Sequence, residues 1–343
     1  MSTGYSRPAV APAPLRLDLN EAPWDADEAF RKLFLSFLEQ VELRRYPPMD
    51  ARPAREAAAR LYGWQVEGTL VGNGSNEVLA AALATFAAGG KVLTLWPSFS
   101  IYPWLIRRAG GSELRLWLKP PDFAVAEDEL FSLAEDADLL LLCSPNNPTG
   151  GELSPALWRR LLSLGKPTIW DGAYWEFGSD GDMRSWLTEF PNLMVTRTLS
   201  KVWGVAGVRA GCLCTSPELA KRVAKRLFPF APGVAVWAAF EAAAALPEVG
   251  RQRAQAVVAE RDRQLAALAS LPKLEAVPSR GNFYLLRCQG WDGARLAQAL
   301  AQAGVAVRPV EELSASGYVR VTVGNPEEGD TLLAVLQEVT RGL

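Results

Sequence analysis

The chain contains no histidine. That excludes Ser-His-Asp and Cys-His nucleophilic catalysis and every histidine-containing metal site. Cysteine is scarce, at positions Cys143, Cys212, Cys214 and Cys288. No two of them form a C-x-x-C pair, and all sit in apolar, strand-like text, so they read as buried reduced thiols. A disulfide framework or a metal centre is not expected. Charge of either sign is not in excess: 36 Lys and Arg against 38 Asp and Glu give a net charge of −2. Without a basic stripe there is no field to gather nucleic acid or an anionic membrane surface. Long apolar runs are missing too, since Val234 to Leu246 is interrupted by Trp237 and Glu241. The first residues, Met1 to Pro14, carry no apolar signal segment and read as a disordered Pro/Ala-rich leader, 1–14, on a cytoplasmic protein. Acid-base chemistry must therefore rest on Lys, Tyr, Asp, Glu or a cofactor.

What is present is the composition of a folded enzyme-sized protein: 343 residues, 49% hydrophobic and 22% charged. Phe30, Leu33, Phe34, Phe37, Leu38 and Val41 share one helical face. Arg52 to Tyr62 is a second helix, with Gly63 as its stop, and Ser75 is expected to cap a third through Phe86. Short apolar runs follow at Val92–Leu95, Leu114–Leu118, Leu139–Cys143, Thr168–Trp170, Leu193–Thr196 and Ala210–Cys214. Several lack polar alternation, as strands of a sheet covered on both faces require. Helices fall between them, two announced by Ser154-Pro155 and Ser216-Pro217. This predicts an α/β fold with a mostly parallel central sheet flanked by helices. Beyond Gly233 two helices lead into strands at Leu274–Val277, Phe283–Cys288, Val305–Arg308 and Val319–Val323, with helices at Ala294–Ala303 and Thr331–Thr340. The expected division is a large unit, 45–246, and a smaller α+β unit made of 15–44 and 247–343. The twelve tryptophans read mostly as packing.

Four strings carry chemistry. In Thr198-Leu199-Ser200-Lys201, followed by Arg209, a lysine after a buried strand can be kept near-dry. Its pKa then falls and it becomes a nucleophile for aldehydes, with hydroxyls and a guanidinium able to hold a phosphate beside it. The same string alone also reads as a surface loop. Asp171 ends an apolar run where ligands meet an open α/β sheet and could keep a pyridine nitrogen protonated, or could be a helix-capping aspartate. Ser144 to Gly150, S-P-N-N-P-T-G, is a turn at a strand end whose Asn147 offers an amide. Gly72 to Glu77 is a glycine-rich helix start, either a phosphate seat or a plain capped helix.

Taken along the chain, a glycine-rich helix start, then Phe99, then N-N-P-T-G, then D-x-A-Y, then T-L-S-K with Arg209 eight residues later, these pieces resemble the fold-type I pyridoxal-phosphate aminotransferases. Within them the chain is most similar to the histidinol-phosphate aminotransferase group. Leu19-Asn20-Glu21-Ala22-Pro23, Arg45-Tyr46-Pro47, Pro97 to Tyr102, Gly281-Asn282-Phe283, Val307-Arg308-Pro309 and Val319 to Gly324 add to the likeness, which runs from about Leu15 to the end. The resemblance implies that Lys201 bonds to pyridoxal 5′-phosphate and shuttles the proton, and that Asp171 pairs with the ring nitrogen. It implies that Asn147 and Tyr174 hold the ring oxygen and that Phe99 stacks on the ring. Gly74, Ser75, Asn76, Thr198, Ser200 and Arg209 would hold the phosphate, with Tyr46 reaching in from a second subunit of a homodimer with shared active sites. Arg320 would meet a substrate carboxylate, Arg308 the substrate's phosphate, and Asn20 the substrate. The implied reaction passes an amino group from histidinol phosphate to 2-oxoglutarate in histidine biosynthesis. Aromatic amino-acid transamination and threonine-phosphate decarboxylation use the same cofactor. The chain departs from the group's pattern at Ala22, Trp24, Asn76 and Gly172, which bears on the substrate more than on the lysine-aspartate core. No metal is implied.

Overall fold

The computed structural model describes residues 12–178, 181–310 and 317–341. The expected leader therefore lies, apart from its last residues, outside the described residues. In the described residues the strands are β1 (Leu15–Leu17), β2 (Thr69–Asn73), β3 (Lys91–Trp96), β4 (Ser112–Trp117), β5 (Leu139–Cys143) and β6 (Thr168–Asp171). They continue with β7 (Leu193–Thr198), β8 (Ala210–Thr215), β9 (Leu274–Val277), β10 (Phe283–Cys288), β11 (Val305–Pro309) and β12 (Tyr318–Thr322). They form two sheets, ordered β2-β8-β7-β6-β5-β3-β4 and β1-β11-β12-β10-β9. In the larger sheet β3 to β7 run parallel and only β8 is reversed, pairing antiparallel with β7 and β2.

The apolar runs explain this sheet. β5 reads Leu-Leu-Leu-Leu-Cys and is buried throughout, as are β6, β7 and β8, because helices cover both faces. Ser154 and Ser216 cap their helices as expected, accepting from Leu157 N and Leu219 N. Gly63 ends the helix Arg52–Tyr62 in the left-handed region, at φ 64°. Trp158, Trp170, Trp175 and Trp186 form one packed cluster, with Trp158 and Trp170 stacked at 4.0 Å. All four cysteines are buried and free.

One expectation is corrected. Ser75 does not cap the helix Ser75–Phe86; it is the first helical residue, and Gly74 is the cap position, with no side-chain cap bond. Gly74 turns the chain at φ 83°, ψ 163°, and Ser75 lines the cleft described below. The N-terminal segment serves both sheets. β1 extends the small sheet beside β11, while the helix Glu28–Gln40 packs Phe30 on Trp203 and Phe37 on Trp237. Of that helix's predicted apolar face only Phe30 is buried, and Leu33 is exposed. Among the described residues no helix is long and apolar enough to cross a membrane.

Candidate active site

The carboxyl ends of β5, β6 and β7 point to one place, and the three loops that leave them carry three of the four strings. Register aligns the ends: Cys143 lies opposite Asp171, and Asp171 opposite Thr196. The small sheet supplies the opposite wall through β11 and β12. Between them is a cavity of ≈ 250 Å³ lined by Lys201, Asp171, Tyr174, Asn147, Phe99 and the phosphate-seat residues Ser75, Asn76, Thr198, Ser200 and Arg209. Arg308 and Arg320 line it from the small sheet.

Lys201 follows β7 and reaches the cavity with Nζ 3.4 Å from the Leu19 carbonyl and 5.7 Å from the Tyr174 ring centre. Burial, then the Arg320 charge, pushes its ammonium down to about 8, with Glu21 and Asp171 opposing and Arg209 adding to the fall. A usable fraction of free amine is therefore present near neutrality.

Asp171 is buried and fully engaged on one side. Its Oδ1 accepts from Thr196 Oγ1 at 2.8 Å and from Ala173 N at 3.2 Å, and its Oδ2 accepts from the Tyr102 hydroxyl at 2.6 Å. Tyr174 is buried, which raises its phenol well above the ordinary value, so it stays protonated. Its oxygen accepts from Asn20 Nδ2 at 3.0 Å, leaving its own hydrogen for the cleft. Asn147 Oδ1 accepts from Arg320 Nη1 at 2.6 Å, which orients the amide so that Nδ2 is the free end, and Arg320 Nη2 also holds the Asp18 carbonyl at 2.7 Å.

The phosphate seat is a tight fit of backbone and guanidinium. A Cβ at Gly74 would stand 2.5 Å from Arg209 Nη2, and one at Gly211 would stand 2.1 Å from Ser75 N. Two glycines thus let Arg209 and β8 approach the start of the helix Ser75–Phe86, whose free N–H groups attract anions. Arg209, itself left-handed at φ 60°, donates to the Ala206 carbonyl at 3.1 Å. Phe99 offers a ring face and meets Tyr102 edge-on at 5.6 Å.

Two expected residues stand elsewhere. Asn20 is buried one layer behind the cavity, with its side chain on Tyr174 and Thr322. Tyr46 is 84% exposed, its ring 5.2 Å from Phe230, and it does not line the cavity of its own chain. Sequence reasoning gave no role to Tyr102 or Thr196. Tyr102 closes the Pro97 to Tyr102 string, and that aromatic three residues after Phe99 was the available signal.

The donor set fits pyridoxal phosphate. The glycine-lined cradle with Arg209 suits a phosphate, the desolvated lysine an aldehyde, the buried carboxylate a protonated ring nitrogen, and Phe99 a ring face. Fold and site together define a pyridoxal-phosphate enzyme of fold type I. Residues 14–336 match the family aminotransferase class I and II, and the chain belongs to it as a pyridoxal-phosphate-dependent transaminase. A histidinol-phosphate aminotransferase of Thermococcus gammatolerans is 32% identical over 328 residues, covering 96% of this chain and 92% of that one. The crystal structure of the histidinol-phosphate aminotransferase from Clostridium acetobutylicum superposes with a TM-score of 0.88 at 20% identity, covering 96% of this chain and 100% of that one. The Sinorhizobium meliloti enzyme of the same name, solved in complex with pyridoxal-5′-phosphate, gives a TM-score of 0.82 at 23% identity, over 96% and 91% of the two chains.

Proposed function

We propose that the chain transfers the amino group of histidinol phosphate to 2-oxoglutarate, a step of histidine biosynthesis. The observation that carries this reading is the placement of Arg308 and Arg320. They stand directly opposite each other on β11 and β12 and line the cavity that holds Lys201. Both guanidiniums border the cavity, where each can meet an anionic group of a substrate. Histidinol phosphate brings a phosphate and glutamate brings carboxylates, and each can meet the pair in turn. The names of the relatives support the same donor.

Pyridoxal phosphate, when bound, supplies an aldehyde that takes up the amino group and a ring that accepts the electron pair released at Cα. The residues do the rest. Lys201 presents its neutral amine to the aldehyde and then moves the proton at Cα. Asp171 holds a proton on the ring nitrogen from a dry site, where its charge acts strongly. Asn147 and Tyr174 donate to the ring oxygen, and Phe99 excludes water from one ring face. Gly74, Ser75, Asn76, Thr198, Ser200 and Arg209 hold the phosphate. Asn20 acts through the Tyr174 hydroxyl.

The reading includes a homodimer in which Tyr46 completes the site of a second copy. Leu43, Tyr46, Met49, Phe228 and Phe230 are exposed large apolar side chains, and Phe230 N bonds to the Met49 carbonyl at 3.1 Å, which ties two of the segments together. It also includes the division into 45–246 and 15–44 with 247–343, and a cytoplasmic location. A single-turnover scan tests the donor. Histidinol phosphate, phenylalanine and threonine phosphate are offered separately while the cofactor absorbance is followed. Histidinol phosphate should react fastest; faster reaction with phenylalanine, or CO₂ release from threonine phosphate, would overturn the assignment.

A further inference from the structure

The Asp171 carboxylate has about four acceptor positions, two on each oxygen. Thr196 Oγ1 and Ala173 N fill those of Oδ1, and the Tyr102 hydroxyl takes one of Oδ2 at 2.6 Å. One position on Oδ2 is left, and Asp171 lines the cavity. The atom that would face a ring nitrogen is therefore the atom Tyr102 holds. Tyr102 itself is fully buried at the start of the helix Tyr102–Arg108 and does not line the cavity. A buried phenol needs a partner for its single hydrogen, and the carboxylate is that partner.

The geometry points to Tyr102 as a positioning residue of the cofactor site, fixing the plane of the Asp171 carboxylate through its bond to Oδ2. This rests on the role given above to Asp171. In a chain without histidine, a neutral phenol does the holding. Burial keeps the phenol protonated, so toward the carboxylate it is the donor. The thiol of Cys143, at the end of β5, adjoins it and is likewise kept protonated by burial. The titratable groups that face Asp171 are Tyr102, Cys143, Tyr174 and Lys201. Of these Tyr102 makes a hydrogen bond to the carboxylate. Its ring also packs edge-on against Phe99, a contact that phenylalanine keeps.

The test uses the apoprotein and pyridoxamine 5′-phosphate, which has the same ring but cannot bond covalently to Lys201. Binding is read by tryptophan fluorescence, with Trp170 adjacent to Asp171 in the chain. Tyr102→Phe should weaken binding by about tenfold and leave the affinity for inorganic phosphate unchanged, because Tyr102 acts through Asp171 and not through the phosphate seat. In an Asp171→Ala background Tyr102→Phe should add no further loss. Wild-type affinity, an equal loss for inorganic phosphate, or a full further loss in the Asp171→Ala background would overturn the inference. If Tyr102→Phe does not fold, a ring-fluorinated tyrosine at 102, a stronger donor, should change the affinity in the Asp171 protein and not in Asp171→Ala; an equal change in both overturns the inference as well. If Asp171→Ala alone leaves the binding of pyridoxamine 5′-phosphate unchanged, the role of Asp171 falls too.

Discussion

Gly74→Ala separates backbone strain from cofactor binding in a single residue. At φ 83°, ψ 163° Gly74 occupies a region that side chains with a Cβ essentially avoid, at a cost of about 1–3 kcal/mol. The new methyl would also stand 2.5 Å from Arg209 Nη2, so the guanidinium must move. The guanidinium is the exposed end of a flexible side chain and can swing aside, which takes it out of the phosphate seat. A charge-assisted bond to a phosphate contributes about 1.5–3 kcal/mol, so its loss should weaken pyridoxal phosphate by roughly 10- to 100-fold. Denaturant unfolding of the apoprotein reads the first effect, and fluorescence titration with the cofactor reads the second. Gly207→Ala is the control in the same loop, since a Cβ there meets nothing within 4 Å. A Gly74→Ala protein with wild-type stability and wild-type cofactor affinity would refute the reasoning.

Four further outcomes follow from the geometry. The rate at which apoprotein captures pyridoxal phosphate should rise with pH through a midpoint of about 8, set by Lys201, and Arg320→Met should move that midpoint up because Arg320 helps to lower it. The same depressed lysine makes the unfolded chain bind more protons between about 8 and 10.5, so its contribution to apoprotein stability improves as pH rises through that window. Arg308→Ala should raise KM for histidinol phosphate by about tenfold or more and change the glutamate half-reaction less, whereas Arg320→Ala should injure both; steady-state and single-turnover kinetics distinguish them. Tyr46→Ala should weaken cofactor retention, read by fluorescence titration, while the protein keeps its fold by circular dichroism, since the side chain is exposed in its own chain.

Much of this was legible in the residues. Buried parallel strands such as β5 advertise themselves as unbroken apolar runs, and Ser-Pro pairs mark helix starts. β1 escaped notice because three residues, Leu15–Leu17, carry too little pattern, and β2 because Thr69, Gly72 and Asn73 leave only Leu70-Val71 as an apolar run; both owe their pairing to distant partners, β11 and β8. Ser75 looked like a cap because serine commonly is one; the positive φ of Gly74 moved the cap position back by one residue. In the site, residues tied to strand ends were readable, since Asp171 and Lys201 follow apolar runs. Tyr102 and Asn20 were not readable as supports, because each acts through a side chain far away in sequence, Asp171 and Tyr174. The same holds for the contact of Arg320 with Asn147, which spans both sheets.

The central claim is that these separate strings assemble around one lysine. Borohydride reduction of the cofactor-loaded protein, followed by proteolysis and mass mapping, tests it directly. The pyridoxyl group should be found on Lys201, and Lys201→Ala should carry none. Label on any other lysine, or a Lys201→Ala protein that is labelled as well as wild type and regains full turnover, would contradict the account.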